Sequence, residues 1–389
     1  MALHVDYEVR WKNFKGFKDT NWIKIKPITI ILGTNNSGKS SFLSPLLLMN
    51  QTLNSRDPYL PILTKGPLID NGSIKEIFKD YNVHKEVFFG FRYHVHDPDP
   101  NEKLEEIGTY PPGAFEVTLG SKNEGKELVV KSQTIYDIYK RMYVQLKMGE
   151  DGKYELKGLN KSKLQKIEKE SIANSKPINF LFSPNNFINN IRNMDMKNEK
   201  DLDKKISKKQ FSEEFSELLR SVSANYSESI DILGNLSFIG PIRQNPRRVY
   251  EVTGESQDTV GSRGENIGNL LNENFNNIES ELNEWISKFG FGDRIIFRNL
   301  YENFYSLEFQ EGERFSTIAN VGFGASQILP LIVQALISSD GALTIAEQPE
   351  IHLNPRLQGV LADLFAYMAK RDQRLVVETH SEHLLLRLR

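Results

Sequence analysis

An α/β fold, with a mixed or parallel sheet and flanking helices, is what this 389-residue chain predicts, and three observations predict it. The apolar run Ile28-Thr29-Ile30-Ile31-Leu32 leads straight into a glycine-bounded loop, Gly33-Thr34-Asn35-Asn36-Ser37-Gly38-Lys39-Ser40. The C-terminal third alternates helical and strand-like segments, as parallel strands joined by crossover helices do. Near the N-terminus, short β-branched and aromatic runs add a β-rich lobe.

In chain order, a first strand is expected over residues 7–12, a turn at Asn13-Phe14-Lys15-Gly16-Phe17, and further strands over 22–26 and 28–32. Ser41-Phe42-Leu43-Ser44 and the apolar Leu46-Leu47-Leu48-Met49 then continue from the loop as a buried helix. Pro45 falls in its first turns, where a missing N–H costs little. Strands are expected over 87–91 and 114–119. From about Ile135 to Tyr226 the composition shifts to Lys, Glu, Asn and Ser, which reads as a polar helical insertion without sustained heptads. A short strand at 236–239, a long helix over 265–289 and strands over 294–298 and 305–309 follow. Then come helix 326–337, strand 342–346, helix 355–368, strand 374–378 and a helix from Ser381. The expected division is 1–134 and 231–389 as two parts of one nucleotide-binding head, with 135–230 inserted between them. Because the chain stops inside its last helix at Leu388-Arg389, a trimmed or longer C-terminal segment is expected.

The loop has the G-x-x-x-x-G-K-[ST] form. Glycines let the backbone wrap phosphates closely, several N–H groups point inward, and the following helix presents its positive end. Gly33, Asn35, Asn36, Ser37, Gly38, Lys39, Ser40 and Ser41 are the candidate phosphate contacts, with Lys39 reaching the β- and γ-phosphates and Ser40 a ligand of Mg²⁺. Leu343-Thr344-Ile345-Ala346-Glu347 is a buried strand ending in a carboxylate, which places an acid beside that Mg²⁺. Gln348 stands where a second carboxylate could take a proton from attacking water; an amide can orient water but cannot act as that base. Glu350 or Glu347 are the other carboxylates in reach. Asn320-Val321-Gly322-Phe323-Gly324-Ala325-Ser326-Gln327 opens a helix and is a second potential anion site. Val376-Val377-Glu378-Thr379-His380 is a buried strand ending in a histidine placed to sense a γ-phosphate.

A net charge of −2 announces no global affinity for nucleic acid. Local patches remain: Lys153, Lys157, Lys161, Lys163, Lys166 and Lys169, then Lys204, Lys205, Lys208 and Lys209, interleaved with acids, and Arg243, Arg247 and Arg248 after a buried strand. The absence of cysteine excludes thiol catalysis and cysteine-based zinc sites, and fits a reducing compartment. No stretch approaches bilayer length, so a cytoplasmic protein with no membrane partner is expected.

The order of phosphate loop, glycine loop, acidic strand and strand-end histidine resembles the ATP-binding cassette (ABC) ATPases, and within them the branch of SMC proteins, OLD-type nucleases and their AAA-labelled bacterial relatives. Glu347-Gln348-Pro349-Glu350-Ile351-His352-Leu353-Asn354-Pro355 and Glu378-Thr379-His380-Ser381-Glu382-His383 are close to a bacterial subgroup with a Glu-Gln-Pro-Glu Walker B variant, as are Gly240-Pro241-Ile242-Arg243, Arg247-Arg248-Val249-Tyr250 and Val260-Gly261-Ser262-Arg263-Gly264-Glu265. That resemblance implies a homodimer, or a higher homo-oligomer, closed head to tail around ATP and Mg²⁺. It implies Lys39 and Ser40 as phosphate and metal contacts, Gly322, Gly324 and Ser326 as the signature facing the other subunit, Glu347 as Walker B acid and His380 as switch histidine. Gln348 departs from the wider cassette pattern and implies slow turnover. For the Q-loop glutamine, Gln51 and Gln133 are both candidates. No nuclease constellation is visible, so a separate effector, possibly a nuclease, in an anti-phage complex is implied. An SMC-type DNA ATPase is the alternative, opposed by the missing coiled coil; a transporter subunit fits the polar insertion badly.

Overall fold

The computed structural model describes residues 5–95, 114–136, 142–196, 211–252, 254 and 257–389. The chain opens with β1 (Val5–Phe14), β2 (Phe17–Asp19), β3 (Ile23–Ile25), β4 (Ile28–Ile31) and α1 (Lys39–Leu53). It continues with α2 (Ile74–Ile77), β5 (Val87–Val95), β6 (Ala114–Lys122), β7 (Glu127–Tyr136), β8 (Met142–Met148) and β9 (Tyr154–Lys157). Helices α3 (Lys166–Ala173), α4 (Pro184–Met196) and α5 (Glu213–Ser229) precede β10 (Ser237–Ile239), β11 (Tyr250–Glu251) and α6 (Ile267–Phe289). Strands β12 (Arg294–Tyr301), β13 (Phe304–Glu311) and β14 (Arg314–Thr317) lead to α7 (Phe323–Ile337), β15 (Leu343–Glu347), α8 (Pro355–Lys370), β16 (Arg374–Glu378) and α9 (Glu382–Leu388).

Two compact units divide these elements, Leu3–Lys24 with Ser44–Gly234 and Ile25–Leu43 with Asn235–Arg389. The first is built on an antiparallel sheet of order β2-β1-β5-β6-β7-β8-β9. Its inner face is aromatic: Trp11 meets Phe89 edge-on at 5.7 Å, and Phe91 stacks on Phe115 at the same centroid distance. Helices α3 to α5 close a second cluster of Leu146, Leu156, Phe182, Phe187, Phe215 and Leu218. The helical character expected from Ile135 begins only after the last strand of this sheet. Val144, Leu146, Tyr154 and Leu156 are buried while lysines and glutamates take alternate positions, so the period is that of strands. A boundary at 134/135 therefore falls inside β7.

The second unit holds a four-stranded sheet of order β10-β15-β16-β4, parallel throughout. Leu375, Val376 and Val377 are fully buried, as strands covered on both faces require. Helix α8 starts cleanly because Asn354 caps it, accepting the Leu357 N–H, and Pro355 supplies a helix-ready φ. Helix α6 ends at Gly290, whose φ of 72° is the left-handed conformation glycine adopts without penalty. A smaller antiparallel sheet, β11-β13-β12 with β14 on β13, completes the unit. The parallel pairing places the carboxyl ends of β10, β15, β16 and β4 along one edge, the edge at which open α/β sheets bind ligands.

Candidate functional site

The phosphate loop leaves β4 at this edge and closes into α1. Asn36 (φ 63°) and Gly38 (φ 92°) both take left-handed conformations, which turn the chain back sharply enough to line up successive N–H groups. A Cβ added to Gly33 would stand 2.5 Å from Ser37 Oγ and 3.3 Å from Ser37 Cβ, so a larger residue would have to push the Ser37 side chain aside. Residues 33–37 are exposed, whereas Lys39 is 7 % exposed. Its Nζ donates to the carbonyls of Gly33 at 3.1 Å and Thr34 at 2.9 Å, which curls the ammonium into the loop mouth. Exposed N–H donors around a buried ammonium fit the β- and γ-phosphates of a nucleoside triphosphate, and that donor set is the test this loop passes.

The structure brings Lys39, Ser40, Glu347 and Glu378 together. Strands β15 and β16 pair in register at Glu347 and Glu378, and β16 pairs Glu378 with Ile31 of β4. Ser40 Oγ donates to Glu378 Oε2 at 2.9 Å, and Lys39 Nζ lies 3.8 Å from Glu378 Oε1. Glu378 was legible only as a residue of the histidine strand; its carboxylate is the one that touches the phosphate loop. Strand direction alone could have flagged it, since it ends the strand beside β4. Burial, then the charge of Glu378, pushes the Glu347 carboxyl up to about 7. Two carboxylates and a serine hydroxyl are hard oxygen donors suited to Mg²⁺.

Gln348 is left-handed (φ 45°), its N–H donating to the Glu378 carbonyl at 2.7 Å. Glu350 is 9 % exposed, and its Oε1 accepts the His380 backbone N–H at 2.9 Å. Engaged in that bond, Glu350 is built as a support for the turn after β16. The His380 side chain is exposed, while Ser381 caps α9 by accepting the Leu384 N–H.

The glycine loop before α7 lies in the same unit. Gly322 is the N-cap residue and is exposed; a Cβ on Gly324 would come within 3.3 Å of the His352 carbonyl, so this glycine lets the helix start approach the acidic turn. Ser326 is 7 % exposed, facing into its own protomer. The Q-loop candidates are occupied elsewhere. Gln51 donates to the carbonyls of Leu63 and Ile69 and accepts from Leu68 and Ile69 N–H, pinning the loop after α1. Gln133 donates to Asn225 Oδ1 and accepts the Phe182 N–H inside the first unit.

Of the cationic patches, Lys161, Lys163 and Lys166 face Glu155, Glu214 and Glu170 at 3.6, 2.9 and 4.0 Å, the pairing of solvated faces. Lys204, Lys205, Lys208 and Lys209 lie outside the described residues. Arg247 and Arg248 are exposed; Arg243 is buried at 4 %. No helix among the described residues is long and apolar enough to cross a membrane.

Comparison with curated proteins gives no match. Among solved structures, the SMC head bound to the C-winged helix domain of ScpA is similar at 14% identity and TM-score 0.43, over 98% of this chain and 90% of that one. The SMC head domain from Thermotoga maritima gives 13% identity and TM-score 0.33, covering 100% of this chain and 92% of that one. The Smc head domain with an extended coiled coil bound to the C-terminal domain of ScpA, derived from Pyrococcus furiosus, gives 16% identity and TM-score 0.39 over 98% and 90%. The family described as "AAA ATPase domain" matches residues 7–385, nearly the whole chain and every element of the site above, and the protein belongs to it.

Proposed function

We propose that this protein is an ABC-type ATPase subunit that binds Mg²⁺–ATP between two copies of itself and hydrolyses it slowly. One observation carries the reading: Lys39 and Ser40 converge on Glu378 beside Glu347, while the next position, Gln348, offers no carboxylate. When bound, ATP would supply the transferable phosphoryl group, and Mg²⁺ held by Ser40 and Glu347 would offset the charge on its phosphates. The protein supplies position. Backbone N–H groups of Gly33, Asn35, Asn36, Ser37, Gly38 and Ser41 with Lys39 hold the phosphates, and Ser40 and Glu347 hold the metal. Glu378 keeps Lys39 and Ser40 in place for that task. Gln348 orients water through its carbonyl oxygen, and His380 follows the γ-phosphate. Gly322 and Gly324 present the start of α7 to the nucleotide of the second copy, while Ser326, expected in the same role, is buried and supports that turn from within.

The finer reading is that nucleotide occupancy holds or releases a separate effector, such as a nuclease, in a bacterial anti-phage complex. It rests on the likeness of the Glu-Gln-Pro-Glu and Glu-Thr-His-Ser segments to that subgroup. Lys39→Ala is expected to weaken ATP binding by at least about 100-fold and to abolish ATP-dependent dimerisation, measured by calorimetry and sedimentation. Unchanged nucleotide affinity would remove the site assignment. Co-purification with the product of the neighbouring gene tests the effector reading, and a monomer indifferent to it counts against that reading.

A further inference from the structure

Arg243 follows β10, the strand of the parallel sheet farthest from the phosphate loop. Its guanidinium is almost fully enclosed, 4 % exposed, yet it makes one hydrogen bond: Nη2 donates to the Glu347 carbonyl at 3.3 Å. Among the described residues, Nε and Nη1 have no hydrogen-bond partner. A buried guanidinium with two idle donors is costly, so its retention calls for a compensating charge. The compensating charge is Glu350, whose carboxylate counteracts the downward pull of burial on the arginine. Glu350 is itself half used. Oε1 takes the His380 N–H at 2.9 Å, and Oε2 has no hydrogen-bond partner among the described residues. The turn between them is tied at both ends, with Gln348 N–H on the Glu378 carbonyl at 2.7 Å and Leu353 N–H on the Glu350 carbonyl at 3.0 Å.

We infer that Arg243 and Glu350 form a buried charge brace that runs across three strand ends and positions His380 relative to the Glu347-Gln348 turn. Arg243 holds the Glu347 carbonyl, with the charge of Glu350 within electrostatic reach; Glu350 holds the backbone of His380. The unpartnered atoms on both residues leave the brace free to tighten into a direct ion pair, which would draw Glu350 off the His380 N–H. Both are positioning residues, because their hydrogen bonds go to the main chain of Glu347 and His380. This inference rests on the ATPase reading for its catalytic consequence, but the brace itself is a property of the nucleotide-free chain.

The experiment uses the full chain with Arg243→Met, Arg243→Lys, Glu350→Ala, Glu350→Gln and the double variant Arg243→Met/Glu350→Gln. Without nucleotide, amide hydrogen exchange of the segment containing His380 is expected to rise about tenfold in Glu350→Ala and to stay near the parent in Glu350→Gln, whose amide oxygen still accepts that N–H. Arg243→Met is expected to melt at a lower temperature than the double variant, since it alone leaves a buried carboxylate uncompensated. With ATP, affinity is expected to stay within about threefold of the parent in every variant, while turnover at saturating ATP falls about tenfold in Glu350→Ala and Arg243→Met. Arg243→Lys and Glu350→Gln recover most of it. Unchanged exchange in Glu350→Ala, or additive melting shifts in the double variant, would overturn the brace. Failure of the parent to bind ATP would overturn the ATPase reading and leave the exchange and melting results standing.

Discussion

Two buried carboxylates, Glu168 in the first unit and Glu350 in the second, have opposite surroundings. Glu168 is fully enclosed and both oxygens are used: Oε2 accepts the Gln165 N–H and Ser212 Oγ–H, each at 2.7 Å, and Oε1 accepts the Ser212 N–H at 2.8 Å. Glu350 uses one oxygen, and beside it Arg243 keeps two nitrogens idle. A carboxylate with all its bonds made allows one arrangement of the chain around it. One with bonds left over can change partner at small cost, which is what the proposed response to nucleotide needs. Between these two carboxylates, polar satisfaction differs where burial does not.

The largest effect expected from this comparison is at Glu168. Glu168→Ala strands three part-buried donors where α3 meets α5, and should cost about 2 kcal/mol in urea unfolding while leaving ATP affinity unchanged. A parallel loss of ATP affinity would break the division between scaffold and site. Next comes Glu347, whose burial beside Glu378 penalises its charge. In metal-free, nucleotide-free protein at pH 8, Glu347→Gln should stabilise the fold by about 1–2 kcal/mol in the same assay, while turnover with Mg²⁺–ATP falls. A destabilised variant would show that Glu347 is held by bonds as Glu168 is.

How much of this was legible in the sequence depends on whether a signal is local. The phosphate loop, Glu347 and the alternation after residue 320 are contiguous patterns, and β4, β15, β16 and the helices between them lie where those patterns place them. The strands over 142–157 were masked because their lysines and glutamates sit on the solvent face, so composition spoke for helix while Val144, Leu146, Tyr154 and Leu156 carried period two. Glu378 was legible as a strand-end residue and Arg243 as one of three clustered arginines, but their partners were not. Their roles come from neighbours far away in the chain: Ser40 is 338 positions from Glu378, and Glu347 is 104 from Arg243. Gln133 offered the converse lesson, a polar residue whose partners, Asn225 and Phe182, make it part of the core.

Gln348 gives a smaller, sharper test. Its left-handed backbone and its bond to the Glu378 carbonyl are made by the main chain, so a glutamate can take its place without disturbing either. Gln348→Glu should raise turnover about tenfold, roughly 1.4 kcal/mol of barrier, at unchanged ATP affinity. No change would move the proton acceptor to another carboxylate, with Glu350 excluded only while its bond to His380 persists.

The smallest effect separates satisfaction from burial. Asp19 is as fully bonded as Glu168, with Arg10 Nε on Oδ1 at 2.9 Å and Nη2 on Oδ2 at 2.6 Å, but it stands at the surface. The hydrogen bonds from Arg10, followed by the opposing effect of partial burial and the bond from the Asn21 N–H, leave its carboxyl lowered to about 2. A lowered carboxyl binds fewer protons folded than unfolded, so its contribution is complete above about pH 4 and is lost as pH falls through about 2. Solvent screens the pair, which holds that contribution below about 1 kcal/mol. Asp19→Asn should therefore cost less than about 1 kcal/mol at pH 7 and flatten the acid limb of the stability curve by the same amount, read by urea titrations at successive pH values. Should Asp19→Asn match Glu168→Ala in size, satisfaction alone would set the cost of losing a carboxylate; a small effect requires burial as well, and then the enclosure of Glu350 and Arg243 is what makes their unpaired atoms expensive.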